Sequence, residues 1–509
     1  MTKSSALDTL LHPFKQLHHQ KSPASVQADT TSGSGNTMSG PDHYDTISIG
    51  SGEAGKYVCW TRSSAGKKTA VIEHKWLGGS CPNIACLPSK NFIFSADVLH
   101  NAQKYASTGL LKIDAATEVD MNLVRERKRG MVKGLIEMHE GVFKNSGAEL
   151  ILGHGKLAGD HTVEIELQDG GKRTLTADNI IICTGSRARI DDTPGLKDAK
   201  PLTHIELLEL DSIPGHLVIL GGGYIGLEFA QAFRRFGAEV SVIERADTIL
   251  IREDEDVSSA LADILKSEGV QFHTATTITA VSGTSGDSVT LTGTSSSQPF
   301  TITGTHLLVA GGRLPNTEGT GLQESSIELL ASGHIKVNEF LQTNTPHIFA
   351  VGDCANSPHF THIGFDDFRI VSTFLAAKDA SKKPTRSTKD RQVPYTLYTN
   401  PELAHVGLSE KAAKKANIQY RLAKLPMAAF LRTRTMDATD GFAKALVSTS
   451  NDTILGFTAL GPRAGELLPV VQLAMAHGLP YTSLSELIIT HPTMNEGLLG
   501  LFGKVPERK

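Results

Sequence analysis

Residues 44–55 read Tyr-Asp-Thr-Ile-Ser-Ile-Gly-Ser-Gly-Glu-Ala-Gly, a short apolar run that leads into the pattern G-x-G-x-x-G. The run predicts a buried strand, followed by a helix from Lys56 to Ala65 and a second strand over 69–72. Such glycines allow a tight turn and bring the backbone close to a pyrophosphate, while Glu73, at the end of the second strand, accepts hydrogen bonds from a ribose. The order predicts a dinucleotide-binding βαβ unit whose loop glycines are Gly50, Gly52 and Gly55.

A second unit of the same kind begins with the predicted strand His216–Leu220. It continues through a glycine loop and a predicted helix, and its second strand ends at Glu244. A carboxylate at the ribose position repels a 2'-phosphate and favours NADH, although the neighbouring Arg245 keeps NADPH open. The loop glycines expected to contact the nucleotide are Gly221, Gly223 and Gly226.

Two later segments distinguish the first nucleotide from the second. Residues 180–186 and 343–353 each predict a strand that ends in a turn of small residues. In flavoproteins with two dinucleotide sites such segments close the FAD domain, so the first nucleotide is predicted to be FAD. The FAD domain is then discontinuous, and the NAD domain is inserted into it.

Between the two glycine loops lie Cys81 and Cys86, separated by four residues. Residues five positions apart are rotated by about 140° on an ideal helix, so the two thiols cannot bond if both belong to one regular helix. Cys81 is therefore predicted in a loop or a distorted first turn, which suits Pro82, and the positive end of a helix dipole favours its thiolate. In this context the pair predicts a redox disulfide; in isolation, two reduced buried cysteines are the simpler interpretation.

The composition favours a small-molecule partner. A total of 50 basic and 54 acidic side chains, a net charge of -4 and 6% aromatic residues argue against a nucleic-acid surface. The 5 cysteines are too few for a secreted disulfide framework and predict a reducing compartment. No apolar run approaches the roughly twenty residues of a membrane-spanning helix, so a soluble cytoplasmic protein is expected. Residues 1–42 predict a disordered tail, and the helical spacing of their leucines keeps a mitochondrial transit peptide open.

With these motifs in order, residues 43–509 resemble the pyridine nucleotide-disulfide oxidoreductases, the family of lipoamide dehydrogenase, glutathione reductase and mercuric reductase. Within the family, the runs 360–369 and 491–494 look most like the reactive-chlorine-resistance flavoproteins, which are close to mercuric reductases. Ser80 and Ala85 stand where the family usually has Thr and Gly, which affects the fit of a substrate more than the chemistry. The remaining family motifs are Thr184-Gly185, the run 310–316, Gly352-Asp353 and the run 491–496.

The resemblance implies an α/β fold with two Rossmann-like dinucleotide-binding domains, for FAD and NAD, and a C-terminal α+β dimerisation domain. Strand-like segments followed by a helical stretch near the C-terminus agree with such a last domain. The expected domains are a disordered tail over 1–42, the FAD domain over 43–186 and 310–390, the NAD(P)-binding domain over 187–309 and the dimerisation domain over 391–509.

The resemblance also implies roles for individual residues. Cys86 is expected to lie against the flavin and Cys81 to face the substrate. His491 and Glu496 are expected to form an acid-base pair that reaches the dithiol of the opposite subunit in a homodimer. Among the cofactor-binding residues, Lys90 and Glu228 are expected to pair near the flavin, Tyr224 to cover the nicotinamide pocket, and further contacts to come from Ser80, Gly155, Thr184, Gly185, Gly312, Asp353 and Thr361. No metal site is predicted.

These assignments predict an NAD(P)H-dependent flavoprotein oxidoreductase. A hydride passes from NADH to FAD, electrons pass on to the Cys81–Cys86 disulfide, and the Cys81 thiolate attacks a disulfide or another oxidised small molecule. His491 protonates the leaving thiolate, since an imidazole exchanges protons near neutral pH. The alternatives are a mercuric, copper or hypohalous-oxidant reductase, lipoamide dehydrogenase itself, or, from another class, a nucleotide-binding sensor or assembly component.

Three further features are interpreted without chemistry. Cys59, Cys183 and Cys354 lie in or beside apolar runs and are predicted to be buried, inert thiols. The basic cluster from Lys378 to Arg391 predicts a solvated linker at a domain boundary. The Ser/Thr/Gly-rich segment from Ser282 to Ser297 predicts a turn between strands.

Overall fold

The computed structural model describes residues 42–113 and 118–508. Residues 1–41, which make up most of the predicted tail, lie outside the described residues, and Asp42 already belongs to the first strand. The chain forms two compact units. The first contains the described residues up to Asn83 with Lys133–Ser186 and Pro315–Lys389, and the second contains Ile84–Val132, Arg187–Leu314 and the chain from Asp390 onwards. Residues 84–132, assigned above to the FAD domain, therefore belong to the second unit.

A six-stranded sheet forms the core of the first unit. Strand β1 pairs in parallel with β2 and with β5, and the late strand β15 also pairs in parallel with β5. Ile47, Val71 and Ile180 on these strands are 0% exposed, as expected where parallel strands are covered on both faces, whereas β4 pairs antiparallel with β3 and β5. The strands of this sheet are β1 (Asp42–Ile49), β2 (Thr69–Glu73), β3 (Glu149–Leu157), β4 (Thr162–Leu167), β5 (Lys172–Ile182) and β15 (Ile348–Ala350).

Two helices of the first unit, α1 (Glu53–Ser64) and α8 (Thr361–Asp379), pack together on this sheet. Val58 of α1 and Phe368 of α8 share a buried apolar cluster with Phe349 of β15. The helix α1 begins three residues earlier than predicted, directly at the end of the glycine loop. The loop is therefore held between a buried strand and a buried helix, and its backbone position is fixed.

The second glycine loop belongs to a four-stranded parallel sheet in the second unit, with the order β13, β7, β8 and β9. The helix that follows the loop is apolar enough to be buried along its length, and Gly237 ends it in a left-handed conformation with φ of 109°. The elements of this part are β7 (His216–Leu220), α6 (Tyr224–Phe236), β8 (Glu239–Ile243), α7 (Glu255–Ser267), β9 (Gln271–His273) and β13 (His306–Val309).

The segment 282–297 corrects the sequence analysis, because it is mostly strand. It covers the end of β10 (Thr276–Thr284) and all of β11 (Ser288–Ser295), which pair with each other, and β11 pairs with β12 (Gln298–Gly304). Val289 and Leu291 alternate with polar residues along β11 and are 0% exposed. This period of two, in a segment rich in β-branched Thr, outweighs the turn-forming Ser and Gly.

The C-terminal part is a five-stranded antiparallel sheet against which helices pack. Val471 of α11 and Leu498 of α13 are 0% exposed and share a core cluster with Phe457 of β20. The elements are β16 (Tyr395–Leu397), β17 (Glu402–Gly407), β18 (Tyr420–Pro426), β19 (Phe442–Ser448), β20 (Ile454–Gly461), α11 (Leu468–Ala476) and α13 (Gly497–Phe502).

Short connecting elements complete the fold. Strands β6 (Ser186–Ala188) and β14 (Arg313–Pro315) pair with each other. The other helices are α2 (Ser80–Asn83), α3 (Cys86–Ser107), α4 (Met121–Ser146), α5 (His204–Leu207), α9 (Glu410–Lys415), α10 (Leu431–Thr435) and α12 (Thr482–Ser485), with 3-10 turns at Gly352–Ala355, Met427–Ala429 and Ala464–Leu467. Across the described ranges, no helix combines the length and the apolar character needed to cross a bilayer.

The basic cluster predicted as a solvated linker is partly anchored. Lys378 lies in the last turn of α8, and its ammonium donates to Oδ1 of Asn179 at 3.2 Å. Arg386 donates through Nε to the carboxylate of Asp366 at 3.1 Å. Two basic side chains of the cluster, Lys378 and Arg386, thus bind this segment to the rest of the first unit.

Candidate redox and nucleotide sites

The first glycine loop admits no side chain at its critical positions. Gly50 has φ of 102°, and a Cβ on Gly55 would lie 2.7 Å from the carbonyl oxygen of Gly50. Helix α1 starts after Gly52, and no side chain caps it, so its first amides remain available to an anion. A loop that closes around its own backbone and ends in an uncapped, buried helix fits the pyrophosphate of a dinucleotide.

Backbone amides hold the carboxylate of Glu73 in the first unit. One carboxylate oxygen of Glu73 accepts from the amide of Ser51 at 2.9 Å, and the other accepts from the amides of Lys75 and Trp76 at 2.8 and 2.9 Å. The side chain therefore lies at the glycine loop, where a ribose is expected. Gly155 lies on β3, where a Cβ would be 3.1 Å from a methyl group of Ile72 on β2, so glycine eases the packing there.

The second glycine loop repeats this arrangement. Gly221 has φ of 115°, and its Cβ would lie 2.7 Å from the carbonyl oxygen of Ala310. Helix α6 follows Gly223 without a side-chain cap, and Oε2 of Glu244 accepts from the amide of Gly222 at 2.8 Å. The loop, the helix start and the acid fit a second dinucleotide, and Gly312, with φ of 136° and open space around its Cβ, follows β13.

The predicted break between the two cysteines is present. Cys81 lies in the four-residue helix α2, Cys86 is the first residue of α3, and Ala85 between them has φ of -124° and ψ of -101°. Oxygens of Leu77 and Gly79 each accept from Nδ2 of Asn83 at 2.8 Å, which clamps the turn before Cys81. That turn lies against the first glycine loop, because a Cβ on Gly79 would be 2.7 Å from Cα of Gly52.

Lys56 is a buried residue at this turn that the sequence analysis missed. Its ammonium donates to the carbonyl oxygen of Gly78 at 3.0 Å and contacts Glu53 at 2.9 Å and Nε2 of His139 at 3.0 Å. Nδ1 of His139 lies 2.7 Å from the carbonyl oxygen of Leu135, and burial lowers the pKa of this imidazole. The signal in the sequence that could have identified Lys56 is the presence of a lysine among the apolar residues of the helix that follows the glycine loop.

Lys90 and Glu228 form the expected ion pair. Nζ of Lys90 lies 2.6 Å from Oε2 of Glu228, whose other oxygen accepts from the amide of Tyr398 at 2.9 Å. The Tyr398 ring lies 4.9 Å from the same ammonium. Burial, followed by the charge of Glu402, raises the pKa of Tyr398, and Cys86 is among the groups that act on it. Tyr398, which the sequence analysis missed, therefore lies in the surroundings of Cys86 and Lys90.

Tyr224, the first residue of α6, donates to a buried carboxylate. Its hydroxyl lies 2.6 Å from Oε1 of Glu253, and the hydroxyl of Tyr395 donates to the same oxygen at 2.8 Å. Glu253 is 4% exposed. Neither Glu253 nor Tyr395 is predicted from the sequence as a partner of Tyr224, because both are far from it along the chain.

His491 and Glu496 lie together before α13. Nδ1 of His491 is 2.9 Å from Oε1 and 3.0 Å from Oε2 of Glu496. The imidazole side chain is 62% exposed and the carboxylate is 23% exposed. The carboxylate therefore orients the ring through Nδ1.

The remaining predicted FAD residues meet at the end of β5. The amide of Asn316 donates to the carbonyl oxygen of Gly185, and its side chain donates to that of Thr184, each at 2.9 Å. Ser186 donates its hydroxyl to the carboxylate of Asp353. Elsewhere in this unit, Thr361 begins α8 and Ser80 begins α2.

Comparison with known proteins agrees with these sites. The family model described as pyridine nucleotide-disulphide oxidoreductase matches residues 44–367, and the dimerisation domain of the same family matches residues 393–500. The chain belongs to the pyridine nucleotide-disulphide oxidoreductase family. The fold class, the enzymatic nature and the use of FAD and NAD(P)H expected from the sequence are confirmed, and the dimerisation domain supports a homodimer.

Relatives within this oxidoreductase family cover nearly the whole chain. The probable pyridine nucleotide-disulfide oxidoreductase RclA of Escherichia coli is 32% identical over 91% of this chain and 99% of its own. Dihydrolipoamide dehydrogenase of Chaetomium thermophilum is 33% identical over 89% of each chain. A solved Cu(II) complex of the HOCl-induced flavoprotein disulfide reductase RclA from Escherichia coli has a TM-score of 0.81 at 31% identity, covering 91% of this chain and 99% of that one.

The other three cysteines of this oxidoreductase are poor nucleophiles. Cys59 and Cys354 are 0% exposed. Burial raises the pKa of Cys59 to about 12 and also raises the pKa values of Cys183 and Cys354. The prediction of inert thiols is consistent with these environments, although Cys183 is only partly buried by its accessible surface.

Proposed function

We propose that this oxidoreductase passes electrons from NADH through a Cys81–Cys86 redox disulfide to an oxidised small molecule, with a disulfide as the favoured class. The observation that carries the proposal is the helix break at Ala85, which places Cys81 and Cys86 in two different helices. The turn before Cys81 also lies against the first glycine loop. Bound FAD supplies the two-electron link between nicotinamide and dithiol. The roles of individual residues below belong to the same proposal.

The thiol chemistry uses both cysteines in turn. The Cys81 thiolate attacks one sulfur of an oxidised disulfide, and the released thiolate takes a proton from His491. The Cys86 thiolate then attacks the sulfur of Cys81, which breaks the mixed disulfide, releases the second half of the substrate as a thiolate that takes a proton from water, and restores the Cys81–Cys86 disulfide. Glu496 holds Nδ1 of His491 throughout, so that proton exchange occurs at Nε2.

The oxidised dithiol is reduced again beside Lys90 and Glu228. Glu228 fixes the position of the Lys90 ammonium at 2.6 Å, in the surroundings that Cys86 shares through Tyr398. A cation at this position favours a thiolate. The loops at Gly50–Gly55 and Gly221–Gly226 hold the FAD and the nicotinamide nucleotide through the uncapped starts of α1 and α6.

The position of Glu244 supports NADH as the preferred nucleotide. Its carboxylate is fixed at the second loop by the amides of Gly222 and Ala246, where it repels a 2'-phosphate. Replacement Glu244→Ser is expected to improve the use of NADPH relative to NADH. Equal kcat/KM for the two nucleotides in the wild-type protein would overturn this preference.

The decisive test is the spectrum of the reduced protein. Addition of NADH to the purified yellow protein is expected to bleach the flavin and to produce a long-wavelength thiolate-to-flavin band. Cys86→Ser abolishes that band, whereas Cys59→Ser, which removes a buried thiol, leaves it in place. Absence of the band in the wild-type protein would refute the disulfide-reductase proposal and favour a nucleotide-binding sensor.

Similarity to RclA, whose solved structure is described as a Cu(II) complex, supports metal ions and hypohalous oxidants as a second substrate class. NADH oxidation measured with lipoamide, glutathione disulfide, Cu(II), Hg(II) and hypochlorous acid separates the two classes. Turnover with lipoamide alone would identify a lipoamide dehydrogenase, to which the chain is also similar. The cysteine usage supports the cytoplasm as the compartment.

A further inference from the structure

Two tyrosine hydroxyls donate to one buried carboxylate oxygen in the second unit. Tyr224 and Tyr395 donate to Oε1 of Glu253 at 2.6 and 2.8 Å, and their rings lie 5.6 Å apart at 31°. Burial, followed by the charge of Glu253, raises the pKa values of both phenols. Both hydroxyls therefore remain protonated donors at neutral pH.

Neighbouring residues fix both Glu253 and Tyr395 in this cluster of three side chains. The amide of Glu253 donates to the carbonyl oxygen of Leu250 at 2.8 Å, which fixes the backbone that presents the carboxylate. On the other side, the Tyr395 ring lies 5.1 Å from the imidazole of His405. That imidazole is itself bound at both nitrogens, to Thr458 at 2.8 Å and to Gly407 at 3.0 Å. Of the three members, Tyr224 is the one that follows directly on a nucleotide-binding loop.

We propose that Glu253 and Tyr395 are positioning residues that hold Tyr224 in place and thereby set the affinity of the second nucleotide site for the nicotinamide ring. We call Tyr224, Glu253 and Tyr395 together the latch. The inference rests on the proposed function in one respect, the place of Tyr224 at the nicotinamide end of that site. The bond from Tyr224 to Glu253 breaks when the ring moves aside. Tyr395 remains as a donor to the carboxylate, which keeps the buried charge hydrogen-bonded and makes the release reversible.

The latch predicts opposite effects for two substitutions. Glu253→Gln replaces a charged acceptor with a neutral one and weakens the bond to Tyr224, so NAD⁺ is expected to bind about three- to tenfold more tightly. Tyr395→Phe keeps the ring and removes the second hydroxyl that shares Oε1, so the bond from Tyr224 to Glu253 is expected to strengthen and NAD⁺ to bind more weakly. ADP-ribose lacks the nicotinamide ring, and its affinity is expected to stay the same in both variants.

The experiment is calorimetric titration of the oxidised, FAD-loaded protein with NAD⁺ and with ADP-ribose, so the readout does not depend on turnover. Tyr44→Phe is the matched control, because Tyr44 is also a buried tyrosine whose hydroxyl donates to a glutamate, Glu149, in the other compact unit. An unchanged ratio of NAD⁺ to ADP-ribose affinity in Glu253→Gln and Tyr395→Phe would overturn the latch. Failure of NADH to reduce the wild-type flavin would instead refute the proposed function, and the two affinities would still be measurable.

Discussion

Nδ1 of His491 lies within hydrogen-bond distance of both carboxylate oxygens of Glu496, at 2.9 and 3.0 Å. The two residues are separated by a single loop before α13, so the pair is formed locally. A ring held through one nitrogen presents the other in a defined direction, which is what proton transfer to a leaving thiolate requires.

His491→Gln is expected to slow disulfide turnover by about 10²- to 10⁴-fold, the usual contribution of a positioned acid or base. Reduction of the flavin by NADH, measured by stopped flow, is expected to be unchanged, because that step precedes the thiol chemistry. Glu496→Gln keeps one acceptor and should have a smaller effect. Equal slowing of flavin reduction and turnover in His491→Gln would contradict the assignment.

Mixed dimers test whether His491 acts on the dithiol of the opposite subunit. Cys86→Ser and His491→Gln homodimers are both expected to be inactive. A dimer with one subunit of each kind then contains one intact dithiol facing one intact imidazole, because the two sites of a twofold dimer exchange residues. Recovery of turnover on co-expression supports this arrangement; no recovery in purified mixed dimers places His491 at the dithiol of its own subunit.

Lys444 is expected to be the most sensitive charged residue of the second unit. Its ammonium is 0% exposed and lies 2.8, 2.7 and 2.9 Å from the carboxylates of Asp254, Asp256 and Glu410. Lys444→Met removes the buried ammonium that these three carboxylates share, which should lower the free energy of unfolding by about 3–5 kcal/mol. Lys424→Met, which removes a half-exposed partner of Asp256, should cost no more than about 1 kcal/mol.

The effect of Lys444→Met should depend on pH. Burial raises the pKa of Asp254, but the hydrogen bond and charge of Lys444, together with the backbone amides of Lys411 and Glu410, outweigh it, so this pKa lies below the ordinary value. A depressed pKa in the folded state gives stability that is complete at neutral pH and is lost as the pH falls below about 4. The difference in urea midpoint between wild type and Lys444→Met should therefore shrink below that pH; a constant difference would show that the carboxylates do not depend on Lys444.

Alkylation should distinguish the cysteines. After reduction with NADH, iodoacetamide at pH 8 is expected to label Cys81 and Cys86, because only a thiolate reacts and burial raises the pKa of Cys59 to about 12. Cys354 should behave like Cys59 and react only after denaturation. Peptide mapping by mass spectrometry provides the measurement, and early labelling of Cys354 would contradict its burial.

The local parts of the sites were predictable from the sequence, because they are encoded within a few residues. The turns at Gly50 and Gly221 need glycine for backbone reasons, and the five-residue spacing of Cys81 and Cys86 required the break that occurs at Ala85. These inferences need no knowledge of distant contacts.

The parts that could not be predicted depend on contacts between distant segments. Nothing near Lys444 in the sequence indicates that its ammonium meets Asp254, and nothing near Tyr395 indicates that it shares Glu253 with Tyr224. The burial of both members of each pair arises only when α7 and the C-terminal sheet come together. The error over 282–297 had another origin, since the alternation of Val289 and Leu291 was present in the sequence and was outweighed by the Ser and Gly content.

The pairing of Ile348 with Ile180 has a consequence for how the protein is made. A ribosome delivers the first glycine loop early, yet the sheet that carries it receives its sixth strand only when β15 has left the exit tunnel. A nascent chain that stops before β15 exposes the open edge of β5 and Ile180, Ile181 and Ile182 beside it. We therefore expect the nascent first unit to be prone to aggregation over the whole time in which the inserted segment is synthesised.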